Sequence, residues 1–281
     1  MLVHSLYFPT VSSVSPNKTP HKPLPPSSST HPPLLIRFPT SHRENIRYLK
    51  SLNIISPTTK KKFFSPQTIH QILTLINYLK YKSFSDQQIK KLAFLCPELF
   101  SSDIVPTDIN PVFEFLTTSL LASQDDSRDL ILRCPDLLLS DIDDSLRPTL
   151  DFLKDLGLKK LNSPSNLNAH LLNTRVDKFV EKIGYLQSLG LTNDEARRVC
   201  GRLPAIFGYS IENNLRGKVE YLAEEMERCV VEELKVFPQY FAFSLDTRIV
   251  PRHLHLKARN VDLSLQKMLL WSDQRFYAKW K

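Results

Sequence analysis

One short phrase recurs along the chain and constrains the fold more than any other sequence feature. Its fullest form is Leu203-Pro204-Ala205-Ile206-Phe207-Gly208-Tyr209-Ser210, and we number the phrase from its proline as position 0. Position 0 recurs in six places, which define turns 1 to 6: Pro97, Pro135, Asn168, Pro204, Pro238 and Ser272. The steps between them are 38, 33, 36, 34 and 34 residues, and a period near 35 is typical of a solenoid of stacked helical units.

The register continues on both sides of position 0. Six residues later come side chains whose oxygen can accept hydrogen bonds from the free amides of a helix start: Asp103, Asp141, Ser210 and Ser244. The residue before a proline is disfavoured in a helix, so a helix should end at Cys96, Cys134, Leu203 and Phe237. The proline can then open a short 3₁₀ turn. One unit is therefore a long first helix, a tight turn, a second helix and a proline-led turn.

Apolar residues at spacings of three and four predict the individual helices. First helices are predicted over Leu146–Leu156, Phe179–Leu189 and Leu215–Met226, and Gly157 and Gly190 supply the left-handed residue that closes two of them. The proline at position +13, as in Pro148, either kinks a first helix or is its first residue. Strand signals are absent from the sequence, so we predict an all-α fold, an α-solenoid of about six such helical repeats.

The first forty or so residues have the composition of a targeting segment. Residues 1–43 contain eight Ser, four Thr, nine Pro and four basic residues, and no acidic residue occurs before Glu44. The prolines would break the amphipathic helix of a mitochondrial presequence, so we expect a chloroplast transit peptide over residues 1–41. A mitochondrial address and a tail without any address are the alternatives. Residues 42–64 are then a linker at the mature N-terminus, and residues 65–281 form the repeat domain.

The formal charge of +8 is unevenly distributed along the chain. Residues 1–85 carry +10, residues 86–155 carry −8, residues 156–250 carry +1 and residues 251–281 carry +5. An electrostatic argument for binding therefore points to the later repeats.

The chain resembles the plant members of the mitochondrial transcription termination factor (mTERF) family. The resemblance covers roughly residues 42–281 and rests on the repeated proline-led turns, on the segments 209–215, 237–245 and 249–253, and on the closing segment 268–276. It implies an all-helical superhelix that binds organellar nucleic acid and acts in plastid or mitochondrial gene expression. The chain departs from the pattern at Asn168, which replaces a proline, and at Gly217, which replaces the proline expected at +13.

Residues that would indicate catalysis or cofactor binding are missing from the sequence. There is no glycine-rich phosphate loop, no H-E-x-x-H pair, no nucleophile elbow and no C-x-x-C pair among the four cysteines, so we expect neither an enzyme, a bound cofactor nor a metal site. No apolar run is long enough to cross a membrane, and we expect a monomer without a membrane partner.

One set of cations suggests a binding surface. Lys182, Lys218 and Arg252 all occupy position +14, and equivalent positions of a solenoid align, so they predict a stripe that contacts a phosphate backbone. Arg147 and Arg216, at +12, are expected to flank the stripe, and His253 is expected to be a surface or phosphate-contacting residue. The competing interpretation is that such lysines only solvate an exposed helix face.

Two function classes follow from these observations. The first is a non-catalytic protein that binds organellar DNA or RNA, with plastid transcription or RNA-processing proteins as further partners. The second is a protein-binding scaffold that uses the acidic N-terminal repeats. Nucleic acid would select the basic repeats and show strong salt dependence, whereas a basic protein partner would select the acidic ones.

Overall fold

The computed structural model describes residues 41–56 and 65–281. Fourteen α-helical segments occur in these ranges: α1 His42–Ser51, α2 Pro66–Tyr81, α3 Asp86–Leu95, α4 Pro106–Thr118, α5 Gln124–Arg133, α6 Arg147–Asp155, α7 Asn166–Leu172, α8 Val176–Ser188, α9 Asn193–Arg202, α10 Gly217–Glu220, α11 Val230–Val236, α12 Val250–Lys257, α13 Leu265–Leu270 and α14 Asp273–Lys279. No strand occurs among the described residues. The predicted all-α solenoid is confirmed, whereas residues 1–40 of the proposed transit peptide lie outside the described residues.

The proline-led turns adopt the predicted 3₁₀ conformation at turns 1, 2, 4 and 5. They span Pro97–Phe100, Pro135–Leu139, Pro204–Gly208 and Pro238–Ala242, and each follows directly on the residue that ends a second helix. At turn 3, where the proline is missing, helix α7 runs straight through Asn168. At turn 6 the Ser272 side chain instead accepts a hydrogen bond from the amide of Arg275 and begins α14.

The first helices predicted to begin at Leu146 and Leu215 begin earlier, because each opens with a π-helical turn, and the first helix after turn 5 opens in the same way. These turns span Ile142–Leu146, Ile211–Arg216 and Leu245–Ile249, and their N-caps are the predicted residues Asp141, Ser210 and Ser244. The amide of Leu146 bonds to the carbonyl of Asp141 and that of Ile249 to the carbonyl of Ser244, both five residues back. A proline at +13 has no amide hydrogen to donate, and it lies at the second position of the α-helical part that follows. The +13 proline is therefore not the first residue of its helix.

Helix α1 belongs to the packed structure. Ile46 and Leu49 are buried, and the Tyr48 hydroxyl donates to a carboxylate oxygen of Asp86 at 2.9 Å. The amphipathic pattern over His42–Leu52 thus corresponds to a helix, and this first part of residues 42–64 contacts the repeats.

The buried side chains form two clusters along the solenoid. One contains buried residues from Ile46 to Phe179, and the other contains buried residues from Ile183 to Phe276. Phe152 and Phe207 pack against both clusters, so the two meet around helix α8. No helix of the described residues is long and apolar enough to cross a membrane.

Candidate nucleic-acid interface

The three cations at position +14 are equivalent, as predicted, but they are buried. Lys182, Lys218 and Arg252 are exposed by only 7%, 5% and 1%. Each lies on a first helix and points at the turn that follows in the chain. The structure therefore corrects the expectation that they form an exposed stripe, and it equally excludes the interpretation that they solvate an exposed face.

These side chains join each repeat to the next one through hydrogen bonds to backbone carbonyls. The ammonium group of Lys182 donates to the carbonyl of Tyr209, and that of Lys218 donates to the carbonyl of Phe241 at 2.7 Å. Thr149, at +14 after turn 2, makes the same kind of bond from its hydroxyl to the carbonyl of Thr174 at 2.9 Å. We call Thr149, Lys182, Lys218 and Arg252 the latch residues.

Arg252 makes the most extensive of these connections. Its guanidinium donates to the carbonyls of Met268 at 2.6 Å and Trp271 at 2.8 Å, and to the carboxylate of Asp273 at 2.5 Å. The guanidinium also lies 4.5 Å from the centre of the Phe276 ring. Its hydrogen bond holds the pKa of Asp273 below its usual value.

Burial of these charges has a physical reason. Carbonyls at the ends of helices and turns lack partners within their own segment, and a long side chain from the neighbouring repeat can satisfy them. A buried charge is tolerated only when it is hydrogen-bonded, and the aliphatic stems add apolar packing. Burial lowers the pKa of both Lys182 and Lys218, as expected for an ammonium group removed from water.

The remaining predicted site residues lie nearer the surface but are engaged with neighbours. Arg147 pairs with Asp143 at 3.1 Å, and Arg216 pairs with Glu212 at 2.6 Å, both within one helical turn. His253 is half-buried, and its Nδ1 lies 2.8 Å from the Tyr221 hydroxyl. Burial, followed by the nearby cations, lowers the pKa of His253.

The first helices after turns 2, 3 and 4 present an acidic surface once the buried latch lysines are set aside. Ten exposed carboxylates stand against four exposed cations there. The carboxylates are Asp143, Asp144, Asp151, Asp155, Asp177, Glu181, Glu212, Glu220, Glu224 and Glu225, and the cations are Arg147, Lys154, Lys178 and Arg216. A phosphate backbone would be repelled by this face.

The second helices before turns 1 to 4 have the opposite character. Beyond their first turns they carry one carboxylate, Asp129, whose oxygen lies 3.6 Å from Nε of Arg128. The cations in the same stretches are Lys90, Lys91, Arg128, Arg133, Arg197, Arg198 and Arg202. The other acidic residues of these helices lie in the first turns, where a helix N-terminus stabilises negative charge.

Polar side chains from three consecutive second helices meet in one groove. Lys91 of α3, Arg133 of α5 and His170 of α7 line a groove of about 360 Å³, and its other lining residues are Leu95, Asp129, Leu132 and Asn166. Nη1 of Arg133 donates to the side-chain oxygen of Asn166 at 2.8 Å, which fixes the guanidinium at the groove. Two basic side chains, Lys91 and Arg133, an imidazole and the carboxylate of Asp129 thus line the same groove.

Helix α9 carries a further exposed cation, Arg198. Arg198 lies six residues before Pro204, just as Lys91 lies six residues before Pro97. Arg202, on the same helix, is committed elsewhere, because it donates to the carbonyls of Lys235 and Val236 at the end of α11. We call Lys91, Arg133, His170 and Arg198 the second-helix surface. Sequence analysis missed it, although the repeated register of Lys91 and Arg198 was visible.

Comparison with known proteins agrees with the repeat architecture. The sequence matches the mTERF family over residues 44–160 and 106–277. Over 204 residues it is 28% identical to transcription termination factor MTERF8, chloroplastic, of Arabidopsis thaliana, covering 72% of this chain and 40% of that protein. It is 30% identical over 123 residues to the chloroplastic transcription termination factor MTERF2 of the same plant, covering 44% of this chain and 18% of the relative.

The chain thus spans less than half the length of these relatives. The matched family segments nevertheless run from α1 to α14 and include every proline-led turn. The chain belongs to the mTERF family.

Proposed function

We propose that this chain is a non-catalytic nucleic-acid-binding protein that acts in organellar gene expression, in transcription termination or regulation or in RNA maturation. Membership of the mTERF family and the names of the relatives, which are transcription termination factors, support this role. The observation that carries the proposal is the second-helix surface, where Lys91, Arg133 and His170 converge on one groove. Exposed cations on successive second helices, Lys91, Arg133 and Arg198, suit a polyanion, because each neutralised phosphate releases counterions.

We further propose that the protein acts in chloroplasts. The relatives matched here are named as chloroplastic, and the serine- and proline-rich N-terminal composition favours the same organelle over the mitochondrion. A fusion of residues 1–60 to a fluorescent protein should accumulate in chloroplasts. A cytosolic signal would contradict the address, and a mitochondrial signal would replace it.

Binding to nucleic acid is tested by reversing charges on the second-helix surface. The triple variant Lys91→Glu, Arg133→Glu, Arg198→Glu of the full chain should bind DNA or RNA at least about tenfold more weakly, with a shallower dependence on salt. The matched control is Arg147→Glu, Lys154→Glu, Lys178→Glu, which makes the same change of charge on the acidic first helices. Titrations of labelled duplex and single-stranded probes at several salt concentrations would measure both quantities.

If both triple variants lost the same affinity for the probes, the second-helix surface would not be the binding site. If the unaltered protein bound no probe in a salt-sensitive way, nucleic-acid binding itself would be wrong. Circular dichroism of each variant would establish that it remains folded.

A protein scaffold is the second candidate function, and one observation favours it. A groove of about 650 Å³ between turns 1 and 2 is lined by Glu98, Asp103, Asp108 and Asp141, with no cation among its lining residues. Such a groove suits a basic segment of a protein partner. If the scaffold is the main function, Asp103→Lys, Asp141→Lys would abolish capture of plastid proteins, while the second-helix triple variant would not.

A further inference from the structure

Phe94 is the most exposed large apolar side chain of the described residues. It lies on helix α3, and 80% of it is accessible to solvent. A single exposed aromatic needs no explanation by itself. Its neighbours on the helix, however, are the cations of the proposed nucleic-acid surface.

Helix geometry places the ring between two lysines. Successive helical residues are turned by about 100°, so the Phe94 side chain leaves α3 in a direction between those of Lys90 and Lys91, one turn further along. Lys90 and Lys91 are both exposed, and the structure shows no ion pair for either one. Leu95, the next residue, lines the groove with Lys91 and Arg133. Phe94 therefore lies on α3 beside two residues that line the groove, Lys91 and Leu95.

The ring of Phe94 is also free of aromatic partners among the described residues. Phe113 packs edge-on against Tyr78 with ring centres 5.9 Å apart, and Phe179 packs against Phe207 at 4.6 Å, but no such pair involves Phe94. Both faces of an unpaired ring on a helix surface are open to a planar group. Only an unstacked base offers its own face, since the bases of a duplex are covered by their neighbours.

We propose that this end of the second-helix surface binds single-stranded nucleic acid, with one base stacked on Phe94 and adjacent phosphates on Lys90, Lys91 and Arg133. The groove of about 360 Å³ is of the size of a small-ligand pocket and suits one nucleotide at a time. Stacking tolerates any base, so the site distinguishes single-stranded from double-stranded nucleic acid more than it distinguishes one base sequence from another. This inference rests on the proposed function and specifies the form of nucleic acid that is bound.

The test separates stacking from charge. Phe94→Ala in the full chain should weaken binding of a 20-nucleotide oligo(U) or oligo(dT) by about 5- to 100-fold, as expected for the loss of one stacked base. The salt dependence should stay the same, because no charge is removed. Phe94→Trp should restore the affinity, and binding of a 20-base-pair duplex should be the same for all variants.

Tyr81→Ala is the matched control, because Tyr81 is 63% exposed and has the Lys82 ammonium 5.9 Å from its ring centre, but it does not line the groove. It should leave all affinities unchanged. The stacking inference is overturned if Phe94→Ala binds single strands normally, or if it weakens duplex binding equally. In that case the loss of binding in the Lys91→Glu, Arg133→Glu, Arg198→Glu variant would still support the proposed function, whereas absence of binding by the unaltered protein would defeat both.

Discussion

Leu121 adopts a backbone conformation that its side chain disfavours. Its φ is +58°, although it is a bulky residue, and its side chain is 72% exposed. It lies fourteen residues before Pro135, which is the position that Gly190 occupies before Pro204 with a φ of +106°. The left-handed conformation costs a non-glycine residue about 1–2 kcal/mol. The tight turn between α4 and α5 therefore forms despite its central residue.

Leu121→Gly should stabilise the protein. Glycine adopts the left-handed conformation without strain, and this benefit outweighs its greater freedom in the unfolded chain. Because the Leu121 side chain is exposed, its removal loses little packing. We therefore expect the free energy of unfolding to rise by about 0.5–1 kcal/mol. Urea unfolding followed by circular dichroism would measure it. Leu254→Gly serves as the control, because Leu254 is 53% exposed but helical, and this change should cost about 1 kcal/mol. A loss of stability in Leu121→Gly would show that the leucine makes a contact that compensates its strain.

At the scale of the helices, the junctions between repeats depend on the latch residues. The junction held by Lys218 is bonded in both directions, since the Tyr240 hydroxyl of the next repeat donates back to the carbonyl of Lys218 at 2.9 Å. The ammonium group also bonds to the side chain of Asn214 at 2.8 Å. Two neighbouring repeats are thus joined by polar contacts inside an apolar interface, where each acceptor would be costly to leave without a partner.

Lys218→Met should destabilise the protein by about 1–3 kcal/mol, because the carbonyl of Phe241 loses its charged donor while the apolar volume is kept. Lys178→Met is the control on a neighbouring first helix, where an exposed ion pair with Glu181 is replaced, and its effect should lie within about 0.5 kcal/mol. Thermal unfolding of both variants beside the unaltered protein would compare them. If the two variants were equally stable, Lys218 would not stabilise the junction between its repeat and the next.

The contribution of Lys218 to the free energy of unfolding should also depend on pH, and the direction of its pKa shift gives the sign. The pKa of Lys218 is lower in the folded protein than in the unfolded chain, so the unfolded state holds more protons between those two pKa values. The free energy of unfolding contributed by Lys218 therefore rises with pH through that window, below the ordinary lysine pKa of about 10.5. The stability difference between the unaltered protein and Lys218→Met should widen there.

The repeat register made much of this element structure predictable. The ends of the second helices at Cys96, Cys134, Leu203 and Phe237 and the 3₁₀ turns follow from residue types at fixed spacing. So do the caps at +6 after turns 2, 4 and 5, whereas Asp103 does not cap α4, which begins at Pro106 after Val105. The alignment of Lys182, Lys218 and Arg252 was also predictable, but their burial was not. A lysine has an apolar stem and a charged end, and the sequence does not show which carbonyls of the next repeat lie opposite it.

At the scale of the whole molecule, nucleic-acid binding depends more on how charge is distributed over the surfaces of the protein than on how it is distributed along the sequence. Summing residues 86–155 gives −8, which suggested that the early repeats repel nucleic acid. In the structure most carboxylates of those repeats lie on or next to first helices, in first turns of second helices and in proline-led turns. Lys91 and Arg133 share a groove in which Asp129 is the one carboxylate. Linear segments could not separate these faces, because each repeat contributes residues to both.

The two hydrophobic clusters meet through few side chains, and this limits how the molecule unfolds. Phe207 packs against both clusters, and its ring lies 4.6 Å from that of Phe179 at the edge of the first one. In a solenoid each repeat contacts only its neighbours, so cooperativity between distant repeats depends on the coupling at each junction. Weakening the junction at Phe207 should uncouple the two clusters.

Phe207→Ala should therefore cost about 3–5 kcal/mol and broaden urea unfolding from one transition into two. Phe113→Ala, which removes a buried ring that belongs to the first cluster alone, should cost a similar amount but keep one transition. Hydrogen exchange measured by mass spectrometry would show whether the segments on the two sides of α8 open separately in Phe207→Ala. A single transition with uniform exchange in that variant would mean that Phe152 and the backbone of α8 couple the clusters without Phe207, and that the junction is stronger than its aromatic contacts suggest.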